Sequence, residues 1–192
     1  GKSGNPLGDP FLKELKDNLN RESLKENSSV PLGLIVKRTD IRIFPTDESA
    51  KKTADPDAFD RFQQSSISPG SPIGIYHFSK DRKWAYVQTP FIRGWVRLQD
   101  LAIAKERTDV VNYEEAKERL VVIGKLVHNF SDPPLQQKVF CARMGDSFPL
   151  LSLSGGAQTD STSYIIQIPA RDENGLVIFK KGYLSATVED AR

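Results

Sequence analysis

The 192-residue chain has one cysteine and two histidines. A single thiol, Cys141, can form neither an internal disulfide nor a cysteine-rich zinc site. His77 and His128 lie far apart in sequence, so a structural zinc site is not expected. Long hydrophobic runs are also missing. The stretch from Leu32 to Val36, broken by Gly33, is among the longest, whereas a helix crossing a bilayer needs about 20 apolar residues. Charge of one sign is not in excess: 27 basic residues face 25 acidic ones, for a net +2. A nucleic-acid surface spread over the whole molecule is therefore excluded. Residues Ser154 to Ser163 are rich in glycine, serine and threonine but carry no Walker lysine. They read as a flexible hairpin loop and not as a phosphate cradle. No motif for a cofactor is visible.

What remains is an ordinary globular composition, 38% hydrophobic and 27% charged. It excludes a wholly disordered or collagen-like chain. The length suits one domain or two small ones. The chain starts at Gly1 with no methionine and no apolar leader segment. Gly1 reads as a residue left by tag removal, with any export signal cut away at the same point.

Three textures divide the chain, at 1–33, 34–106 and 107–192. In the first, Phe11, Leu12, Leu15, Leu19 and Leu24 fall near helical spacing, and Asp9-Pro10 suits a cap and first helical residue. A short amphipathic helix over about 10–18, open to extension toward 25, is expected. The second has the rhythm of a small barrel. Its expected strands are Ile35-Val36, Ile41 to Phe44, Ile73 to Phe78, Trp84 to Gln88, Gly94 to Arg97 and Ala102 to Ala104, with a single turn of helix at Leu98 to Leu101. A long loop, Thr46 to Ser68, contains Pro56. The third opens with a helical linker, Asp109 to Arg119, and repeats the strand rhythm at 120–123, 138–143, 148–153, 163–168 and 176–180. Its turns include Ser154-Gly155-Gly156 and Asn174-Gly175, the latter a good hairpin signal. The reading is all-β: two tandem SH3-like small β-barrels with a short N-terminal helical segment.

The second texture carries Arg38-Thr39-Asp40-Ile41-Arg42 with Pro45, then Phe59-Asp60-Arg61-Phe62-Gln63, His77-Phe78-Ser79-Lys80-Asp81 with Trp84, and Gly94-Trp95-Val96. In order and spacing these resemble the bacterial SH3 domain of the SH3b1 type, found at the front of NlpC/P60 cell-wall peptidases. The third texture resembles the second SH3b module of those proteins, through Phe148-Pro149-Leu150, Ile168-Pro169, Asp172, Gly175 and Gly182-Tyr183-Leu184. The resemblance implies a non-catalytic cell-wall targeting and substrate-positioning region. Its implied partners are peptidoglycan stem peptides or the wall itself, and a C-terminal NlpC/P60 domain in the same polypeptide. The implied location is the cell envelope: periplasmic, lipid-anchored or secreted. The complete family enzyme cuts between γ-D-glutamyl and a diamino acid, using a cysteine in an Asp-Cys-Ser-Gly type motif and a downstream histidine. This sequence has neither motif, and it ends at Arg192, where such a domain would begin. No peptidase activity is expected of it. The other reading, from a different class, is a free-standing pair of envelope interaction modules with a groove for a peptide or protein.

Candidate site residues lie in the second texture. Strand alternation puts Trp84, Tyr86 and Gln88 on one face and Ala85 and Val87 on the other. Ala85 and Val87 suit a core, so Trp84 and Tyr86, with Trp95, line a groove or fill the barrel; the alternation alone leaves both open. Asp60, Arg61 and Gln63 occupy the long loop that borders an SH3 groove, with Phe59 and Phe62 placed to staple it. Either they order the loop, or Asp60 meets a ligand amine and Arg61 a ligand carboxylate. His77 either orders the adjacent turn or binds ligand. Cys141, in an apolar strand-like run, is expected to be buried filler, and His128 to begin a polar surface loop.

Overall fold

The computed structural model describes residues 6–24, 29–55, 57–154 and 162–186. Two antiparallel sheets each curl round their own apolar core. The first contains β1 (Leu32–Ile35), β2 (Thr39–Arg42), β3 (Gln63–Ile67), β4 (Pro72–Phe78), β5 (Trp84–Gln88), β6 (Arg93–Arg97) and β7 (Leu101–Ile103), in the order β3-β2-β6-β5-β4-β1-β7. The second contains β8 (Arg119–Val121), β9 (Leu126–Phe130), β10 (Lys138–Arg143), β11 (Ser147–Ser154), β12 (Thr162–Arg171) and β13 (Val177–Ala186), in the order β10-β9-β13-β12-β11-β8. Helix α1 (Asp9–Asn18) precedes the first sheet and α2 (Arg107–Glu114) joins the two. The all-β reading, two sheets behind a short N-terminal helix, therefore holds.

Strand alternation explains the first core. Ile41, Ile75, Ala85, Val87 and Val96 point inward and pack with Ile35, Ile67, Ile73 and Leu101. Each fully buried Val, Leu or Ile there contributes about 1.5–3 kcal/mol. Strands β2 and β6 meet closely, in register at Arg42 and Trp95. Gly94 makes that approach possible: a Cβ there would stand 2.8 Å from the Arg42 carbonyl oxygen and 2.7 Å from Ile41 Cγ1. Phe148, Ile166, Leu184 and Ala142 centre the second core.

Several local features differ from the sequence expectation. Helix α1 takes Gly8 as its cap and Asp9 as its first residue. Of its apolar series only Leu15 is buried, and Leu24 is exposed. The helix stops because Asn20 turns left-handed (φ 52°). Strand β3, Gln-Gln-Ser-Ser-Ile, lies within what reads as loop; its polar residues carry no strand pattern, and it forms as an edge strand on the backbone of β2. His128 lies in β9, not at the start of a loop. Strands β12 and β13 run longer than expected as a ten-residue ladder from Thr162↔Ala186 to Arg171↔Val177. Their turn uses Gly175 at φ +86°, with Asp172 Oδ1 accepting the N–H groups of Asn174 and Leu176. Pro56, and the Ser154-Gly155-Gly156 turn with most of the loop to Ser163, lie outside the described residues.

The two sheets are docked. Tyr113 of α2 is fully buried, stacked on Phe179 of β13 at 5.4 Å, and shares a cluster with Leu34 and Val110. The Arg38 guanidinium donates to both oxygens of Asp146 (2.7 and 2.6 Å), and Ser68 Oγ donates to the same carboxylate at 2.5 Å. Arg171 Nη1 reaches the Leu101 carbonyl at 2.8 Å, and Ile103 N–H donates to the Gly175 carbonyl at 3.0 Å. Apolar packing and polar staples thus both cross the junction. Among the described residues, no helix is long and apolar enough to cross a membrane.

Candidate functional site

Pairing between β4, β5 and β6 places His77 opposite Tyr86, Tyr86 opposite Trp95, and Trp84 opposite Arg97. A bulge between Ile75 and His77 turns His77 outward while Phe78 packs against the core. Because Ala85, Val87 and Val96 face the core, these partners share the outer face of the sheet. Yet Trp84 and Trp95 are each only 4% exposed. The face is neither the barrel core nor an open groove. Its indoles are covered by a polar layer.

At one end the layer is aromatic. Trp95 lies tilted against Tyr86 at 5.3 Å and edge-on to His77 at 6.1 Å. His77 Nε2 is 3.0 Å from the Leu19 carbonyl oxygen, which makes that nitrogen the donor. His77 therefore anchors the N-terminal segment and not the turn beside it. Asn18 completes the anchor: its Nδ2 donates to the Pro45 carbonyl, its Oδ1 accepts Asp81 N–H, and its carbonyl accepts Lys80 N–H.

At the other end the layer is charged. The Arg97 guanidinium lies over the Trp84 ring at 5.8 Å and is paired with Asp47 through Nε and Nη2 at 2.9 and 2.5 Å. Two adjoining cavities open here. The larger, about 360 Å³, is lined by Arg82, Lys83, Trp84, Arg97 and Arg171 among others. The smaller, about 170 Å³, is lined by Arg38, Arg42, Trp84, Arg97 and Asp100 among others. The β4–β5 turn presents Arg82 from a left-handed backbone (φ 58°), held by Asp81 Oδ1, which accepts from Ser79 Oγ and Lys83 N–H.

The loop residues bond among themselves and to β2. Asp60 Oδ1 accepts the N–H groups of Ala50 and Phe62, and Oδ2 pairs with Arg42 at 2.9 Å. Burial pushes the Asp60 carboxyl up, but those two N–H groups and the Arg42 guanidinium together hold it below the usual carboxylate value. Gln63 Nε2 donates to Asp40 Oδ1 at 2.9 Å, and Arg61 is exposed. Only one phenylalanine staples the loop: Phe62 meets Phe44 edge-on at 5.1 Å, while Phe59 is 74% exposed.

In the second sheet Cys141 is half-buried, not fully buried, and faces His128 directly across β9–β10, Sγ to Nδ1 at 3.0 Å. A thiol and an imidazole at that distance form the first two parts of a nucleophile–base pair. The group beyond the other ring nitrogen is the Lys138 ammonium, 3.5 Å away. A general base is oriented by a carbonyl or carboxylate at that position, which the ammonium does not supply. The pairing was invisible in the sequence because β9 carried no strand signal.

Residues 48–97 match the family model described as SH3 domain (SH3b1 type). That interval contains the loop of Asp60 and the strands carrying His77, Trp84, Tyr86, Trp95 and Arg97. Among solved structures the chain is similar to an NlpC/P60 endopeptidase from Photobacterium damselae subsp. piscicida, with a TM-score of 0.68 and 18% sequence identity. The likeness covers 92% of this chain and 37% of that one, so the chain spans little more than a third of its structural relative. No curated protein sequence matches. The chain therefore carries an SH3 domain of the SH3b1 type in its first sheet, and over nearly all of its length has the fold of one part of an NlpC/P60 endopeptidase.

Proposed function

We propose that the chain is a non-catalytic, cell-envelope region that holds murein stem peptide for a cysteine peptidase unit of the NlpC/P60 kind. One observation carries this reading: the SH3b1 match lies inside a two-sheet body that superposes on part of an NlpC/P60 endopeptidase. The surface best suited to a peptide is the outer face of β4–β6 with the adjoining loop. Its edge offers Tyr86, partly exposed beside the buried Trp95, with Arg61 and Phe59 exposed on the loop. Stem peptides end in carboxylates, which a guanidinium takes through two parallel hydrogen bonds. Asp60 acts indirectly: with its oxygens taken by Ala50, Phe62 and Arg42, it shapes the loop and is not free to meet an amine.

The test is sedimentation of the purified chain with murein sacculi, run beside chromatography of a murein tripeptide incubated with it. Retention on sacculi with the peptide intact is expected. Cleavage of the peptide, or a chain left wholly in the supernatant, contradicts the reading.

A further inference from the structure

The charged end of the outer face is organised for something other than packing. We propose that the two cavities sharing Asp47, Trp84 and Arg97 form an anion-binding cleft, which takes a small ligand through a carboxylate or phosphate group seated against Arg97 and Arg42. The argument stands on the cleft's own geometry and does not rest on the wall reading.

Charge is the first ground. Seven cationic and three acidic side chains line the two cavities, whereas the whole chain carries only +2. Field lines from cations gathered in a recess focus on an incoming anion. Two of the acids are already engaged: Asp100 accepts from Thr39 Oγ1, and Asp40 from Gln63 Nε2.

Unused donors are the second ground. Arg42 is 7% exposed and lines the smaller cavity; its Nη2 serves Glu48 and Asp60, but its buried Nε has no hydrogen-bond partner among the described residues. Arg38 lines the same cavity, and its Nε is likewise buried and unpartnered. A buried N–H without an acceptor is costly. Both arginines line the smaller cavity, and each keeps a buried N–H unpartnered among the described residues.

The third ground is Arg97 itself. The indole beneath it holds the guanidinium by a cation–π contact. The carboxylate now on it, Asp47, is mostly exposed and comes from the loop after β2. Such an exposed pair is weak, so a ligand oxyanion can take the place of Asp47 while the loop swings aside. The larger cavity, about 360 Å³, sits at the low end of the roughly 300–1,000 Å³ range of small-molecule sites. It suits a short peptide or a single sugar ring, not a folded partner. The anion has two sources: the carboxylate of a short peptide, or the phosphate ester of a sugar or polyol.

Two tryptophans make the test direct. Proton–nitrogen correlation spectra of the full chain resolve one indole N–H from each, plus the arginine Nε–H groups. The probes are sodium phosphate, glycerol phosphate and the tripeptide L-Ala-γ-D-Glu-diaminopimelate, each against sodium chloride at equal ionic strength. Saturable shifts of the Trp84 indole, with the Trp95 indole still, are expected from at least one probe. Saturation by the tripeptide alone assigns the carboxylate source; saturation by the phosphates alone assigns the other. Arg97→Ala is expected to weaken binding about tenfold, as loss of one charge-assisted pair does, and Asp47→Asn to tighten it. The unmoved Trp95 signal reports that each variant is folded, and Arg82→Ala is a second variant on the exposed turn. Shifts that never saturate for any probe, or binding unchanged in both arginine variants, overturn the proposal.

Discussion

Replacing Arg38 by alanine tests whether the two sheets form one cooperative body. Asp146 is 2% exposed at its side chain and Arg38 21%. Removing the guanidinium leaves a buried carboxylate with only Ser68 Oγ and the Arg143 N–H as donors. Breaking one side of a buried pair costs about 3–5 kcal/mol. The partial exposure of Arg38 moves this to the lower end, about 3 kcal/mol. For a chain of this size that is a fall in Tm of roughly 6–12 °C. By contrast, Asp47→Ala removes only an exposed pair, with side chains 47% and 65% exposed, and is expected to cost under about 1 kcal/mol, vanishing in high salt. The assay is urea unfolding followed by tryptophan fluorescence and by far-ultraviolet circular dichroism. Both tryptophans lie in the first sheet, so fluorescence reports that sheet and dichroism both. Coincident transitions are expected for the parent chain, with the Arg38→Ala midpoint lower at any salt concentration. The reasoning fails if the two probes already part in the parent chain, or if Arg38→Ala costs no more than Asp47→Ala.

Four further outcomes follow from single features. Gly94→Ala places a Cβ 2.8 Å from a backbone oxygen and should cost about 1–3 kcal/mol, read as accelerated amide exchange in β2 and β6; unchanged exchange counts against the close crossing. Asp60 is held below its usual value, so its contribution is complete above the unfolded carboxyl value of about 3.9 and is lost as pH falls through the lower folded value. Asp60→Asn should therefore flatten the acid side of the stability profile, and an unchanged acid limb would show the loop contacts to be idle. Tyr113 is pushed up by burial, opposed by Arg119 and reinforced by Glu114. Stability should thus be undiminished by this group below about pH 10 and fall as pH rises beyond it, a loss that Tyr113→Phe should suppress in alkaline melts. Asn18→Ala removes two hydrogen bonds of the N-terminal anchor and should cost about 1–2 kcal/mol, with altered resonances at His77; an unaltered His77 spectrum refutes the anchor.

The parts of the fold legible in the sequence were those with strong alternation. Trp84 to Gln88 lie where the alternation put them, and Lys138 to Arg143 were legible instead from a short β-prone apolar run. Strand β3 was illegible because an edge strand of Gln and Ser is held by backbone pairing to β2 and buries only Ile67 fully. Alternation also identified Ala85 and Val87 as core, but it could not show how Trp84 and Trp95 are buried on the opposite face. Their cover comes from Arg97 over Trp84 and from His77 beside Trp95, contacts that join distant segments. The basic cleft was hidden for the same reason. Arg38, Arg82 and Arg171 are scattered in sequence, and only the docking of the sheets brings Arg171 to the larger cavity.

The most direct measurement is a resonance map of the whole chain titrated with soluble murein fragments. Saturable perturbations confined to the outer face of β4–β6 and its bordering loop, with no new peptide products in the tube, are the predicted result. Perturbations centred on the second sheet around Cys141 and His128, or fragments shortened by the chain alone, would contradict the account.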